Sequence, residues 1–492
     1  MLYNEDLYTA IDLGSATIRG MVGTKKDGKV LPIAIAEVPT SNAIRKGVVN
    51  NMEELHNKLK VLIDRLNEQL PDQHTEIKKV YVGFGGKSLM SRSYKINHKM
   101  DNPDGEEISE YHINLINERV KNYRLNAHEV LDVSDPYCLV DGRVERNIKG
   151  LLCTEFSIHF NLITTRSSNV NFIRMAIEDR LGLELEAILP SPCCEADVLL
   201  YPDAKTLGVA LVNIGAGTSS VAIYKNDTLK CLRVIPFGSK NITNDLMSLH
   251  ITYPEAEKIK LEEAHPFTDA YDDESITLSS PDGTREREIK MRDINSLVTA
   301  RMKEITANVL RVIRDFEAGA RLGSGIVLAG QGALMRGFIN YLQSESKFVS
   351  LAREFNDKVY KDNTPLSSDV DYAGCAGLIY RAEVNCVGAI DTPQTTVSPS
   401  SKVTTQAQPH PQPAAVQVDT PQEAPEETTS AATPQEEPEQ HTQQQAQASL
   451  FDLPDVDQSH KAVKREPKSV KRKKSFNWFS KIKDVLTNDD ID

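Results

Sequence analysis

Apolar and polar positions alternate through YTAIDLGSATIRGMVG, from Tyr8 to Gly23, with glycine and hydroxyl residues in the middle. The pattern predicts a strand, a tight turn and a second strand. In MEELHNKLKVLIDRLNEQL the period changes, and Leu55, Leu59, Leu62, Ile63 and Leu66 recur at helical spacing, predicting an amphipathic helix. The first pattern returns far downstream in LGVALVNIGAGTSSVAIYK, which overlays the first hairpin with Asp12 opposite Asn213, Gly14 opposite Gly215 and Thr17 opposite Thr218. An internal duplication is expected. SGIVLAGQGALMRGF reads as a strand, a Gly330-Gln331-Gly332 turn and a helix start, and INSLVTARMKEITANVLRVIRDFEAG as a helix with Arg301, Lys303, Arg311 and Arg314 on a charged outer face. Extended and helical segments interleave to about Asn385, which predicts an α/β core.

After about Gly388 the chain turns to Pro, Gln, Thr, Ala and Glu, with almost nothing to bury, and the composition predicts a disordered linker. KAVKREPKSVKRKK, Lys461 to Lys474, then carries eight basic residues against the single acid Glu466. In the closing segment SFNWFSKIKDVL, a helical wheel gathers Trp478, Phe479, Ile482, Val485 and Leu486 within about 120° of arc, with Phe476 widening the face. A helix meant for its own core needs neither a long leash nor an adjoining basic run. Each Lys or Arg near an anionic bilayer contributes about 1 kcal/mol, and charge plus an aromatic face together make an anchor. The tail is therefore expected to bind an anionic membrane surface.

The whole chain is 492 residues, room for about three domains. With 40% hydrophobic and 26% charged residues and no apolar run of the roughly 20 residues needed to span a bilayer, an integral membrane protein is excluded. Glu5 and Asp6 stand where a secretory signal would be basic. Seven cysteines without metal-ligand spacing, Cys193 and Cys194 adjacent, fit a reducing compartment. A net charge of −13 argues against nucleic-acid binding, scattered histidines argue against a transition-metal site, and the acids from Asp269 to Arg287 lack EF-hand spacing and read as a solvated hairpin.

Backbone N–H groups in a glycine turn converge on an anion without a Cβ in the way. Two such turns, in duplicated hairpins, make a phosphate clamp. Asp12-Leu13-Gly14-Ser15, Asn213-Ile214-Gly215-Ala216-Gly217-Thr218 and Gly330-Gln331-Gly332 resemble, in order and spacing, the phosphate-1, phosphate-2 and adenosine motifs of the actin, Hsp70 and sugar-kinase superfamily. Within it, RKGVVNNMEELHNKL, VYVGFGGKSL, YCLVDGRVERNIKGL, VIPFGSKNITNDL and PEAEKIKLEEA, with the terminal helix, resemble the bacterial cell-division family FtsA.

The resemblance implies an actin-like fold of duplicated RNase H-like domains with an inserted α/β subdomain, a disordered linker and a C-terminal amphipathic helix. The expected divisions are 1–81 and 166–203 for the first domain, 82–165 for the insertion, 204–386 for the second domain, 387–474 for the linker with its basic run and 475–492 for the helix. It also implies ATP and Mg²⁺ as ligands. Asp12 would meet Mg²⁺ through water, Gly14, Ser15 and Ala16 would hold phosphates from one side, and Gly215, Gly217, Thr218 and Ser219, beside Asn213, from the other. Glu257 and Lys260 would line the adenosine pocket and Gly330, Gln331 and Gly332 would touch the nucleoside. The implied role is a filament-forming adaptor that ties polymers of the tubulin homologue FtsZ to the cytoplasmic side of the inner membrane at the division septum and recruits later division proteins, with Arg301 as an FtsZ contact. Two departures bear on chemistry: Asn213 stands where most relatives have Asp and cannot act as a general base, and Gln331 replaces a common glycine. Binding without appreciable hydrolysis is the expectation; a small-molecule kinase of the same fold is the alternative.

Overall fold

A computed structural model describes residues 6–121, 125–145, 147–279, 286–317, 321–346, 348–361 and 368–390. The expected linker from Asp391 on, the basic run and the residues expected to meet the membrane, Phe476, Trp478, Phe479, Ile482, Val485 and Leu486, lie outside the described residues.

The first hairpin forms as patterned. Strands β1 (Tyr8–Leu13), β2 (Thr17–Lys26) and β3 (Lys29–Pro39) make an antiparallel meander. Helix α1 (Met52–Asn67) starts at Asn51, whose side chain accepts hydrogen bonds from the amides of Glu53 and Glu54, and its predicted apolar face is buried. Strands β4 (Lys79–Phe84) and β9 (Glu184–Pro190) then add parallel to β1 and to β4. The resulting order is β9-β4-β1-β2-β3.

The second half repeats this plan. Strands β10 (Val209–Ile214), β11 (Ser219–Lys225) and β12 (Thr228–Ile235) form a meander, and β13 (Gly325–Ala329) and β14 (Val349–Leu351) add in parallel, giving β12-β11-β10-β13-β14. Asp12 pairs with Arg19 one position before the end of β1, and Asn213 pairs with Ser220 one position before the end of β10. The two are equivalent positions of a duplicated unit. Along β10 the side chains divide between two cores: Val209 and Leu211 join the core of the first half, and Ala210, Val212 and Ile214 that of the second. Such two-sided burial explains the continuous apolar run.

A third core lies in an insertion made of β5 (Met90–Lys99), α2 (Glu110–Lys121), β6 (His128–Val140), β7 (Arg143–Glu145) and β8 (Glu155–Arg166), with Phe156, Ile158, Phe160 and Leu162 at its centre. Its sheet, β7-β6-β8-β5, joins β12 edge to edge through the pair Met90 and Arg233. Among the described residues this makes one nine-stranded sheet. Val82 to Phe84, expected to open the insertion, complete β4 inside the first sheet.

Helix α7 (Ala373–Arg381) packs into the core of the first half, and Val387–Ala389, expected to open the linker, pairs with Thr75–Ile77. Close approach explains the helix. A Cβ on Gly377 would lie 2.0 Å from the carbonyl oxygen of Cys194, and one on Gly374 would lie 3.0 Å from the Asp12 carboxyl carbon. Only glycine lets α7 sit this tightly.

Candidate functional site

The two glycine turns face each other. On one side, Thr40 fixes the turn after β1 by donating its amide to the Ala16 carbonyl and its hydroxyl to the Gly14 carbonyl, each at 2.8 Å, while Ser15 Oγ accepts from the Gly47 amide at 2.8 Å. On the other, the Gly215 amide donates to the Thr218 carbonyl at 3.0 Å, and the carbonyls of Gly215 and Ala216 accept from Ser239 and Lys240 at the start of α4 (Ser239–Leu246). Ser219 donates its hydroxyl to the Phe237 carbonyl at 2.9 Å, and Thr218 reaches across to the Gly85 carbonyl at 3.4 Å. A Cβ on Gly217 would meet Ser15 Oγ at 2.5 Å and the Lys46 Cα at 3.2 Å, so the turns touch. Lys240 spans them, donating to the Ser15 carbonyl at 2.6 Å. Beside them opens a 490 Å³ cavity lined by Ser15, Gly217, Arg45, Lys46, Lys240, Tyr253 and the amide side chains of Asn42, Asn50, Asn241 and Asn244.

Under the turns lie the acids. Asp12, at the end of β1, accepts a 2.7 Å hydrogen bond from Ser191 Oγ on α3 (Ser191–Leu199); burial raises its proton affinity, and Ser191 and Arg19 only partly offset this. Asn213 donates Nδ2 to Glu195 Oε2 at 2.8 Å, and Glu195, also on α3, is pushed to about 8 by burial and by the nearby Asp12 carboxylate. Glu257, on α5 (Tyr253–Lys258), and Lys260, just after it, form a 2.5 Å ion pair that closes on Thr243, which donates to Glu257 at 2.6 Å and accepts from Lys260 at 3.0 Å. Lys260 is only 5% exposed, so its end of the pair is buried. Both act electrostatically on Lys240, and Glu257 also on Tyr253. Gly330, at φ 82°, brings its turn against Asn213, Gly332 packs on Ile214, and Gln331 turns its amide away to Asp371. Arg301, on α6 (Met291–Glu317), is forked onto Asp245 at 2.6 and 3.0 Å, paired with Glu304, and lies over the Phe237 ring that Lys46 also faces.

Sequence reasoning passed over Ser191, Glu195, Lys46 and Lys240. Only Glu195 left a signal, an acid inside SPCCEADVL, a helix otherwise buried almost throughout. The residues fit a nucleoside triphosphate: among the described residues, no intramolecular acceptor takes the amides of Ala16, Ala216 or Gly217, and three cations line the adjoining cavity. Among those residues there is no cluster of three or more His, Cys, Asp or Glu side chains able to cage a metal, so Asp12 suits a cation carried in by phosphates and met through water. When bound, that cation supplies charge neutralisation of the phosphates.

Two β-meander units of one order, facing each other across paired glycine turns, define an actin-like α/β fold. The PilM component fold of a solved "PilM-PilN type IV pilus biogenesis complex" matches 76% of this chain and 98% of that one with a TM-score of 0.52 at 14% identity. Residues 210–370 match the family model "Cell division protein FtsA". The FtsA protein of Porphyromonas gingivalis is 41% identical over 387 residues, 78% of this chain and 80% of that one, and the FtsA of Bacillus subtilis is 26% identical over 347 residues, 69% and 77%. The chain belongs to the FtsA family of cell-division proteins.

Proposed function

We propose that this chain is an ATP-binding adaptor that holds FtsZ polymers at the cytoplasmic face of the membrane during division and assembles into actin-like filaments. The observation that carries the nucleotide part is the contact of the two glycine turns beside a cation-lined cavity. ATP with Mg²⁺ is the ligand, held by the turns at Ser15 and Gly217 and by Lys46 and Lys240, with the Glu257 and Lys260 wall toward the adenosine. Its weak hydrolysis follows from Asn213, an amide that accepts no proton. Family membership favours this reading over the kinase alternative. Arg301 is the proposed FtsZ contact; later division proteins are proposed to dock on the insertion.

No helix among the described residues is long and apolar enough to cross a membrane. The membrane part rests on the tail sequence, whose basic run and aromatic face suit an anionic surface. One short amphipathic helix binds a bilayer weakly, and several in one filament bind with avidity. Co-sedimentation with anionic liposomes tests this, comparing the full chain with one ending at Lys474. Binding should disappear with the last 18 residues (475 to 492) and with Trp478→Glu; equal binding by either variant removes the anchor assignment. In the cleft, Gly215→Asp sets a carboxylate against the phosphates, with its Cβ 3.1 Å from the Thr218 carbonyl. Titration with a fluorescent ATP analogue should show affinity about 100-fold weaker, about 2.8 kcal/mol, and unchanged affinity would remove the phosphate assignment.

A further inference from the structure

Asn213 occupies the place equivalent to Asp12, yet it brings no charge. An acid lies one side chain further back, ionised only above about pH 8 in the folded chain. Glu195 is 8% exposed on a helix face with Cys194 and Ala196 beside it in the chain, and the partner it meets directly is the Asn213 amide, 2.8 Å away. The neighbouring charges are Asp12, of like sign, and Arg19. A buried carboxyl beside another, held by one neutral donor, is costly for stability alone. It does have a directional effect. Because Asn213 gives Nδ2 to Glu195 Oε2, its Oδ1 faces the opposite way, toward the glycine turns: a Cβ on Gly330 would lie 2.2 Å from that oxygen and one on Gly215 3.9 Å. The two amide orientations of an asparagine are distinguished by such partners.

We propose that Glu195 is a positioning residue of the nucleotide cleft, which holds and polarises Asn213 so that Oδ1 accepts from the water shell of the nucleotide-borne Mg²⁺, the pair together replacing an aspartate at 213. The inference rests on the ATP reading above. It assigns the acid missing from the second phosphate turn to α3, one turn along from Ser191, which fixes Asp12 by donating to its Oδ1 at 2.7 Å. Each half then presents one oxygen acceptor to the cation, each fixed by a partner on one helix. Residues behind a metal's immediate partners set its affinity in this manner.

The test is equilibrium binding of ATP to the full chain at pH 9, where Glu195 is ionised, with Mg²⁺ and with EDTA, for wild type, Glu195→Gln and the double variant Glu195→Gln/Asn213→Asp. Gln keeps the shape and removes the charge; the double variant moves the carboxylate to 213 and keeps a hydrogen bond between the two positions. Glu195→Gln should weaken binding about tenfold in Mg²⁺ and leave binding in EDTA unchanged, and the double variant should recover to within about threefold of wild type. An equal loss in both conditions, no loss at all, or a double variant no better than the single one overturns the proposal. No binding of ATP by wild type overturns both this inference and the ATP reading. Wild-type binding with Mg²⁺ dependence unaltered by Glu195→Gln overturns this inference alone.

Discussion

Arg381→Ala should lower the free energy of unfolding by about 3–5 kcal/mol at neutral pH, the usual cost of removing one partner from a buried ionic network. Arg381 ends α7 and donates Nε to Asp197 at 2.6 Å and Nη1 to Asp132 at 2.8 Å. Asp197 belongs to α3 and Asp132 to β6, so one guanidinium ties α7 to α3 of the first half and to β6 of the insertion. Its 23% residual exposure faces a 210 Å³ cavity, which places the loss toward the lower end of the range. Lys205 still meets Asp197 at 2.9 Å after the change, but the Asp132 side chain, 5% exposed, loses its 2.8 Å contact with Arg381. The sign with pH follows. Burial raises the Asp197 proton affinity, but Arg381 and Lys205 more than offset it and hold the carboxyl below its ordinary value. This contribution is present above the ordinary carboxylate range and is lost as pH falls through the depressed folded value. Urea unfolding of wild type and variant at neutral and acid pH measures both effects: the difference should shrink in acid, and a neutral-pH difference below about 1 kcal/mol would refute the pinning role.

The second large effect has the opposite sign. Glu195 is raised from an ordinary 4.5 to about 8 in the folded chain, so between those pH values the unfolded chain has lost a proton that the folded chain keeps. Stability of the nucleotide-free protein is therefore highest below about pH 4.5 as far as this group is concerned, and falls as pH rises toward about 8. The gap sets a ceiling of about 5 kcal/mol, of which relaxation of the cleft leaves about 2–3. Glu195→Gln removes the ionisation. Measured in EDTA, the variant should show a flatter profile and be about 2 kcal/mol more stable than wild type at pH 8. Parallel profiles for the two chains would count against a buried, ionisable Glu195.

Much of this was legible along the chain, and the reasons are physical. The hairpins at Tyr8 and Val209 carry their own turn glycines, so the duplication and the equivalence of Asp12 and Asn213 needed only local pattern. Helix α1 declared itself by its apolar stripe. Helix α7 did not declare its partner: AGCAGLIYR is small and apolar on all sides, and its attachment to the first half depends on backbone contacts at Gly374 and Gly377. Nor did the seam between β5 and β12, where one pair of residues joins strands 143 positions apart (90 to 233). In the site, the turns were readable because backbone geometry marks them with glycine. Glu195, Ser191 and Lys240 act through partners 18, 179 and 225 positions away, beyond the reach of any local period.

The seam at Met90 and Arg233 has a mechanical meaning. The insertion is rooted by both its chain ends in the first half, pinned there by Arg381, and stitched to the second half at β12, where Arg233 also donates to the Ser91 carbonyl at 2.6 Å and Ser91 Oγ accepts from the Leu232 amide at 2.7 Å. Three bodies joined pairwise form a closed linkage, not an open hinge. Rotation of one half against the other swings the insertion with it, and a load applied to the insertion from outside is felt at the jaws of the cleft.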